Sequence, residues 1–161
     1  MKSRSRICFA AVMICLLLLP AFTGCSNKSG NTIDEPEITP DYLIEDYSQQ
    51  LITDGGSNMT GHVTMEKQDD TYAVYFTEKE VVPNSEYDKG YYIADTNVTV
   101  DATLGSDARF VCIRNGEATV SDADDFIKHQ DEDADRLYSV YFLGTSAELI
   151  IEIDPADIVI E

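Results

Sequence analysis

Two hydrophobic periods divide the chain after residue 38. The first is helical. Leu43, Ile44, Tyr47, Leu51 and Ile52 recur at i, i+3, i+4, i+7 and i+8, which predicts one apolar stripe along a helix. Thr39 is placed to cap it, Pro40 suits its first turn, and Gly55-Gly56 ends it. The second period is that of strands. His62–Lys67 and Thr71–Val82 flank Gln68-Asp69-Asp70, a hairpin signal, with Tyr72, Val74 and Phe76 on one face. Asn97–Leu104 alternates cleanly, predicting Val98, Val100, Ala102 and Leu104 inside. Arg109–Arg114 and Glu117–Val120 flank Asn115-Gly116, a strong two-residue hairpin signal.

Ser121-x-x-Asp124 resembles a capping box that opens a short helix to about Gln130. Leu137–Leu143 and Ala147–Ile153 flank Gly144-Thr145-Ser146, a further hairpin, and Asp154-Pro155 stops it. Ile158–Ile160 reads as a short edge strand. The expected fold is mostly β, with one N-terminal helix and one short helix. Its architecture is a small antiparallel Greek-key barrel or a β-sandwich. An OB-like barrel also inserts a helix before its last two strands, a likeness of element order alone.

The first 25 residues follow a different logic. Lys2, Arg4 and Arg6 precede Ile7–Leu19, an unbroken apolar run of 13 residues. As a helix this run covers about 20 Å, short of the roughly 30 Å hydrocarbon core of a bilayer. The pattern is that of a signal peptide rather than a permanent span. Pro20-Ala21-Phe22-Thr23-Gly24-Cys25 follows. This stretch resembles the lipobox of bacterial lipoproteins, with small residues before a cysteine, although Phe22 stands where that family usually has leucine. The resemblance covers residues 1–25. It implies cleavage before Cys25, lipid attachment (diacylglycerol and palmitate chemistry) on its thiol, and a place on the extracytoplasmic face of the cell membrane. A released secreted protein and an uncleaved signal anchor are the alternatives. The domain plan that follows is a removed signal at 1–24, a lipidated N-terminus and polar tether at 25–38, and a single mostly-β domain at 39–161.

Charge narrows the partners. After residue 24 the chain carries 30 Asp+Glu against 8 Lys+Arg, a net of −22. Such a surface repels phosphate backbones, so nucleic acid is excluded as an expected partner. The expected partners are the membrane, through the anchor, and an envelope protein or glycan. The same surplus serves solubility.

Candidate chemistry is sparse. Asp122, Asp124 and Asp125 are followed by Asp131, Glu132, Asp133 and Asp135. Closely spaced carboxylates suit Ca²⁺, but an EF-hand-type loop opening at Asp131 needs Gly and Glu where Arg136 and Phe142 stand. A solvated acidic loop at a helix end explains the cluster equally well. His62 and His129 lack a metal-pair spacing and read as structural or surface residues. Cys112 is the lone cysteine after Cys25 and reads as a small buried hydrophobe. Tyr87, Tyr91 and Tyr92 fall in a Pro/Asn/Gly-containing segment that offers contact residues, or simply the start of a strand. No G-x-S-x-G, S-x-x-K, P-loop or G-x-G-x-x-G occurs, and no cofactor is expected. The leading expectation is a non-enzymatic binding module. The alternatives are an envelope-acting hydrolase that uses carboxylates and a Ca²⁺-dependent surface module.

Overall fold

The computed structural model describes residues 36–159. Cys25 and the signal-like segment lie outside these residues. The described chain begins with a helical stretch in three parts: α1 (Pro40–Tyr42), a π-helical turn (Leu43–Tyr47) and α2 (Ser48–Thr53). Strands β1 (Ser57–Gln68), β2 (Thr71–Pro83), β3 (Tyr91–Arg114) and β4 (Glu117–Ser121) follow. Helix α3 (Ala123–Glu132) precedes β5 (Leu137–Leu143), β6 (Ser146–Ile153) and a short α4 (Pro155–Val159).

The six strands lie in the order β2-β1-β5-β6-β3-β4, and β2 also pairs with β3. Strands β1, β2, β3, β6 and β5 therefore close a ring, and β4 lies beside the second half of β3. The strand order and the helix before the last two strands are those of an OB-type barrel. One ring pairing, β3 with β6, is parallel, so the barrel is mixed rather than wholly antiparallel.

Strand β3 makes the closure possible. Its 24 residues would span roughly 80 Å if straight. It coils instead, pairing with β2 along its first part and with β6 and β4 along its second. Two irregularities let it turn. The β2 register shifts between Thr77 and Lys79, near Asn97 at a φ of 62°. The β6 register shifts between Leu104 and Arg109, so the intervening residues swell out of the ladder. The first irregularity also breaks the clean alternation. Val98 is exposed, while Val100, Ala102 and Leu104 pack on the core.

Two apolar cores result. The barrel interior holds Val63, Met65, Val74, Phe76, Phe110, Cys112, Tyr138, Val140 and Ile150, with Phe126 of α3 packed among them. A second core lies on the other face of β3 and β6. There Val111, Leu149 and Ile151 meet Leu43 and Leu51 of the N-terminal helical stretch. Consequently β6 is buried on both faces from Leu149 to Glu152.

The stripe predicted on that helical stretch is half right. Leu43 and Leu51 are buried, whereas Ile44 and Ile52 are each 40% exposed. The π-turn is the cause, because its wider spacing brings Ser48 inward instead. The Ser48 hydroxyl donates to the Ile44 carbonyl at 2.5 Å. Thr39 caps as expected, its Oγ1 accepting from the Tyr42 amide at 3.2 Å. Gly55, at a φ of 93°, ends the helix. Its amide donates to the Ile52 carbonyl and the Gly56 amide to that of Leu51, a Schellman cap.

The hairpins at Asp69-Asp70, Asn115-Gly116 and Gly144-Thr145 form where the sequence places them. Other boundaries differ: β1 begins at Ser57 rather than His62, and Asn97–Leu104 and Arg109–Arg114 are parts of the single strand β3. The cap of α3 is Asp122, one residue beyond Ser121, its carboxylate accepting from the Asp125 amide at 2.8 Å. Ile158 lies in helix α4 rather than an edge strand. There Asp154 accepts from the Ala156 amide at 2.9 Å, and Pro155 takes the first position of the helix, where its missing N–H costs nothing.

Strands β1 and β2 cross closely at Gly61. A Cβ there would fall on the Thr77 carbonyl oxygen and 2.8 Å from the Phe76 ring. Gly61→Ala is expected to lower unfolding stability by about 2–3 kcal/mol. Leu143→Ala, at a 39% exposed site, is expected to change it by under about 0.5 kcal/mol. Urea titration of both variants measures the contrast.

Candidate functional site

The bulge in β3 opens a groove. Where Gly105–Ala108 leave the β6 ladder, a groove of about 860 Å³ lies beside the β1–β2 turn. Tyr72, Leu104, Phe110 and Val120 supply apolar walls, and Asp70, Thr71, Ser106, Arg109, Ser121 and Asp122 supply polar groups. Tyr72 is held in place: its hydroxyl donates to Asp124 at 3.0 Å, and the Lys67 ammonium sits 5.4 Å from its ring centre. Ile38 lines the same groove. Together with Pro36 it also lines a neighbouring cavity of about 300 Å³ formed with Tyr42, Leu43, Tyr47, Asp107 and Arg109. The last residues of the segment read as a tether thus lie against the domain.

A second, more polar groove of about 750 Å³ lies at the barrel end, lined by His62, Lys79, Lys89, Tyr91, Asp95, Asp135 and Arg136. Glu152 also lines it, yet only 8% of that residue is exposed. Its Oε2 accepts from the Ile113 amide at 2.6 Å and lies 2.6 Å from His129 Nε2. Its Oε1 accepts from Arg136 at 2.5 Å. A carboxylate withdrawn from water requires such donors. Beside this group, Cys112 is fully buried, and burial pushes its thiol pKa up. Tyr138 stands opposite Glu152 on the neighbouring strand, and burial, then the nearby Glu152 charge, pushes its phenol up.

The acidic stretch does not converge. Asp122 caps α3, Asp124 meets Lys67 and Tyr72, Asp125 pairs with Lys128 at 2.9 Å, and Asp133 accepts from the Asp135 amide at 3.0 Å. Tyr72 first, then Lys67, holds the Asp124 carboxyl below the usual carboxylate range. Asp131 lines a groove with His62 and Gln130. Among the described residues, the one set of His, Cys, Asp and Glu side chains whose ligand atoms lie within 4.8 Å of one another is Cys112, His129 and Glu152.

The other expected residues fall as follows. Cys112 is buried as read; His129, read as a structural or surface residue, is 4% exposed and its ring is turned to Glu152. Tyr91 is half-buried, and Tyr92 points outward with its ring 5.4 Å from that of Tyr87. Sequence reasoning missed Glu152, Arg136 and Gln130. Glu152 had a signal: a lone acid inside the apolar run Leu149–Ile153. Gln130 had none. Its amide pairs with both the Met65 amide and carbonyl at 2.9 Å, completing β1 where β5 has not yet begun.

No protein-family model matches this sequence, and no curated protein and no solved structure is significantly similar to it. No helix among the described residues is long and apolar enough to cross a membrane.

Arg136→Met leaves Glu152 buried without its guanidinium and is expected to cost about 3 kcal/mol of stability. Lys128→Met removes an exposed pair and is expected to cost under about 0.5 kcal/mol. Chemical denaturation resolves the difference.

His62 yields a pH prediction. Its Nε2 is buried without a hydrogen-bond partner. Burial first, and then Lys79, lowers its pKa against the opposing pull of Asp135 and Asp95. The unfolded chain therefore binds this proton more readily than the folded one. The resulting stability is present above the unfolded imidazole pKa of about 6.5 and is lost as pH falls through the lower folded value. His62→Gln is expected to flatten the melting temperature between neutral pH and about pH 5. An unchanged slope in that window would refute the assignment.

Proposed function

We propose that the chain is a lipid-anchored extracytoplasmic lipoprotein whose acidic β-barrel is a non-enzymatic binding module for an envelope protein or glycan. The groove at the β3 bulge carries this reading. It combines a fixed aromatic, an apolar floor and a rim of hydroxyls and carboxylates, the mixture that sugar rings and polypeptide loops use. OB-type barrels bind oligonucleotides and oligosaccharides on the β2–β3 face and the adjoining loops. The net charge of the chain disfavours the oligonucleotide. The anchor rests on the lipobox-like residues ending at Cys25. Thioether-linked diacylglycerol with further acylation supplies more than one acyl chain, which stable attachment needs.

Radiolabelled palmitate is expected to enter the native chain and not Cys25→Ser, which should leave the membrane fraction or persist as a precursor. Failure to label the native chain would remove the anchor from this reading. In co-isolation from intact envelopes, Tyr72→Ala and Val120→Lys are expected to lose at least tenfold of whatever protein or glycan the native chain retains. Retention equal to the native chain would move binding away from this groove.

A further inference from the structure

The buried group at the barrel end has the donors of a transition-metal site. Cys112 of β3, His129 of α3 and Glu152 of β6 bring a sulfur, an imidazole nitrogen and a carboxylate oxygen within 4.8 Å of one another, all three residues buried. Bonds of about 2.0–2.3 Å to a tetrahedral Zn²⁺ place neighbouring ligands roughly 3.3–3.8 Å apart. The three ligand atoms start within 4.8 Å of one another, and the His129–Glu152 contact, at 2.6 Å, opens to that spacing when an ion enters.

The surroundings match what such ligands need. A metal-bound imidazole commonly turns its other nitrogen to a carboxylate. Here His129 Nδ1 lies 3.6 Å from Glu132 Oε2. Glu152 offers Oε2 towards the cluster, while Arg136 holds Oε1 and fixes the carboxylate's orientation. A second, independent observation points the same way. The Tyr138 hydroxyl is buried without any hydrogen-bond partner, in a residue only 1% exposed. Tyr138 faces Glu152 across the β5–β6 ladder and shares the barrel interior with Cys112. A buried hydroxyl left unsatisfied costs about 1–3 kcal/mol. A fourth oxygen ligand to a metal would use it.

We propose that Cys112, His129 and Glu152 form a site for one Zn²⁺-class divalent ion inside the barrel, with Tyr138 Oη as its fourth donor. Sulfur and imidazole select a borderline-soft ion over Ca²⁺ or Mg²⁺. Binding replaces the Cys112 thiol proton, which leaves to solvent; the imidazole proton that now faces Glu152 from His129 Nε2 is carried instead on Nδ1, towards Glu132, which frees the Nε2 lone pair for the ion. One thiolate and one carboxylate then balance the two positive charges. No electron is transferred. Because a proton is released, affinity falls as pH falls.

Co²⁺ absorption tests the site on the whole chain in detergent. Cys8, Cys15 and Cys25 are replaced by serine so that Cys112 is the one remaining thiol. The expected result is one Co²⁺ per chain, a near-ultraviolet thiolate-to-cobalt band, visible bands of a four-coordinate ion, and full displacement by Zn²⁺. Far-ultraviolet circular dichroism follows the fold in every variant. His129→Gln and Glu152→Gln should each weaken Co²⁺ at least tenfold, and Glu132→Gln about tenfold. Asp124→Asn, on the exposed acidic stretch, should leave affinity unchanged. Absence of the thiolate band in the native-site chain at millimolar Co²⁺ overturns the proposal. So does undiminished affinity in folded His129→Gln and Glu152→Gln, which would assign the band to the thiol alone.

Discussion

The barrel closes around a buried carboxylate. Glu152 receives the Ile113 amide of β3, the guanidinium of Arg136 and the ring of His129 on α3. Each donor belongs to a different part of the fold, and Glu152 itself belongs to β6. The parallel β3–β6 pairing is the ring's one contact between strands that run alike, and its ladder ends at Val111 and Ile151. Beyond that point the Glu152 side chain continues the job that backbone groups perform earlier. It ties β6 to β3 and anchors α3 over the barrel end. A charge with less compensation could not stay in this place, because desolvation of a lone carboxylate costs several kcal/mol.

The same logic of side chains finishing backbone ladders operates across the barrel. Strand β1 pairs with β5 at Ser57–Gly61, while its later residues have β2 on one side alone. Gln130 fills part of the vacancy by presenting an amide to Met65. Helix α3 is therefore held by Gln130 at one edge, by His129 at the other, and by Phe126 between the rings of Phe110 and Tyr138. Ring closure leaves few exposed edges. β3 also swells away from β6, and the groove there follows from the same bulge that lets a 24-residue strand turn.

Much of this was legible in the chain and some was not. Hairpins were readable because Asn115, Gly116 and Gly144 tolerate the positive φ that such turns require. The burial of Cys112 was readable from alternation with Phe110. The helix stripe misled because its period assumes 3.6 residues per turn, and the π-turn at Leu43–Tyr47 changes the period midway. Asn97–Leu104 and Arg109–Arg114 read as two strands because the bulge between them carries Gly105, Ser106 and Asp107, residues that resemble a turn. The cluster of Cys112, His129 and Glu152 was beyond local reading. Its members are contributed by three elements and meet through closure of the ring, which no spacing along the chain encodes.

Charge separates the two environments in which this chain keeps its carboxylates. Near the surface, Asp124 and Asp125 sit with lysines, at least half exposed, in pairs that contribute little to stability. The numerous acids there can remain ionised because water solvates them. Inside, among the described residues, Glu152 takes the Ile113 amide, the Arg136 guanidinium and the ring of His129. After residue 24 the chain carries 8 basic residues against 30 acidic ones, so most of its carboxylates are left to water rather than to a cation. A divalent ion at the barrel end would meet a buried sulfur and nitrogen as well as oxygen, whereas the same ion at the surface would meet solvated carboxylates that hold it only by long-range attraction. Selectivity would come from burial and donor type, and the large negative charge would act at a distance by raising the local concentration of cations.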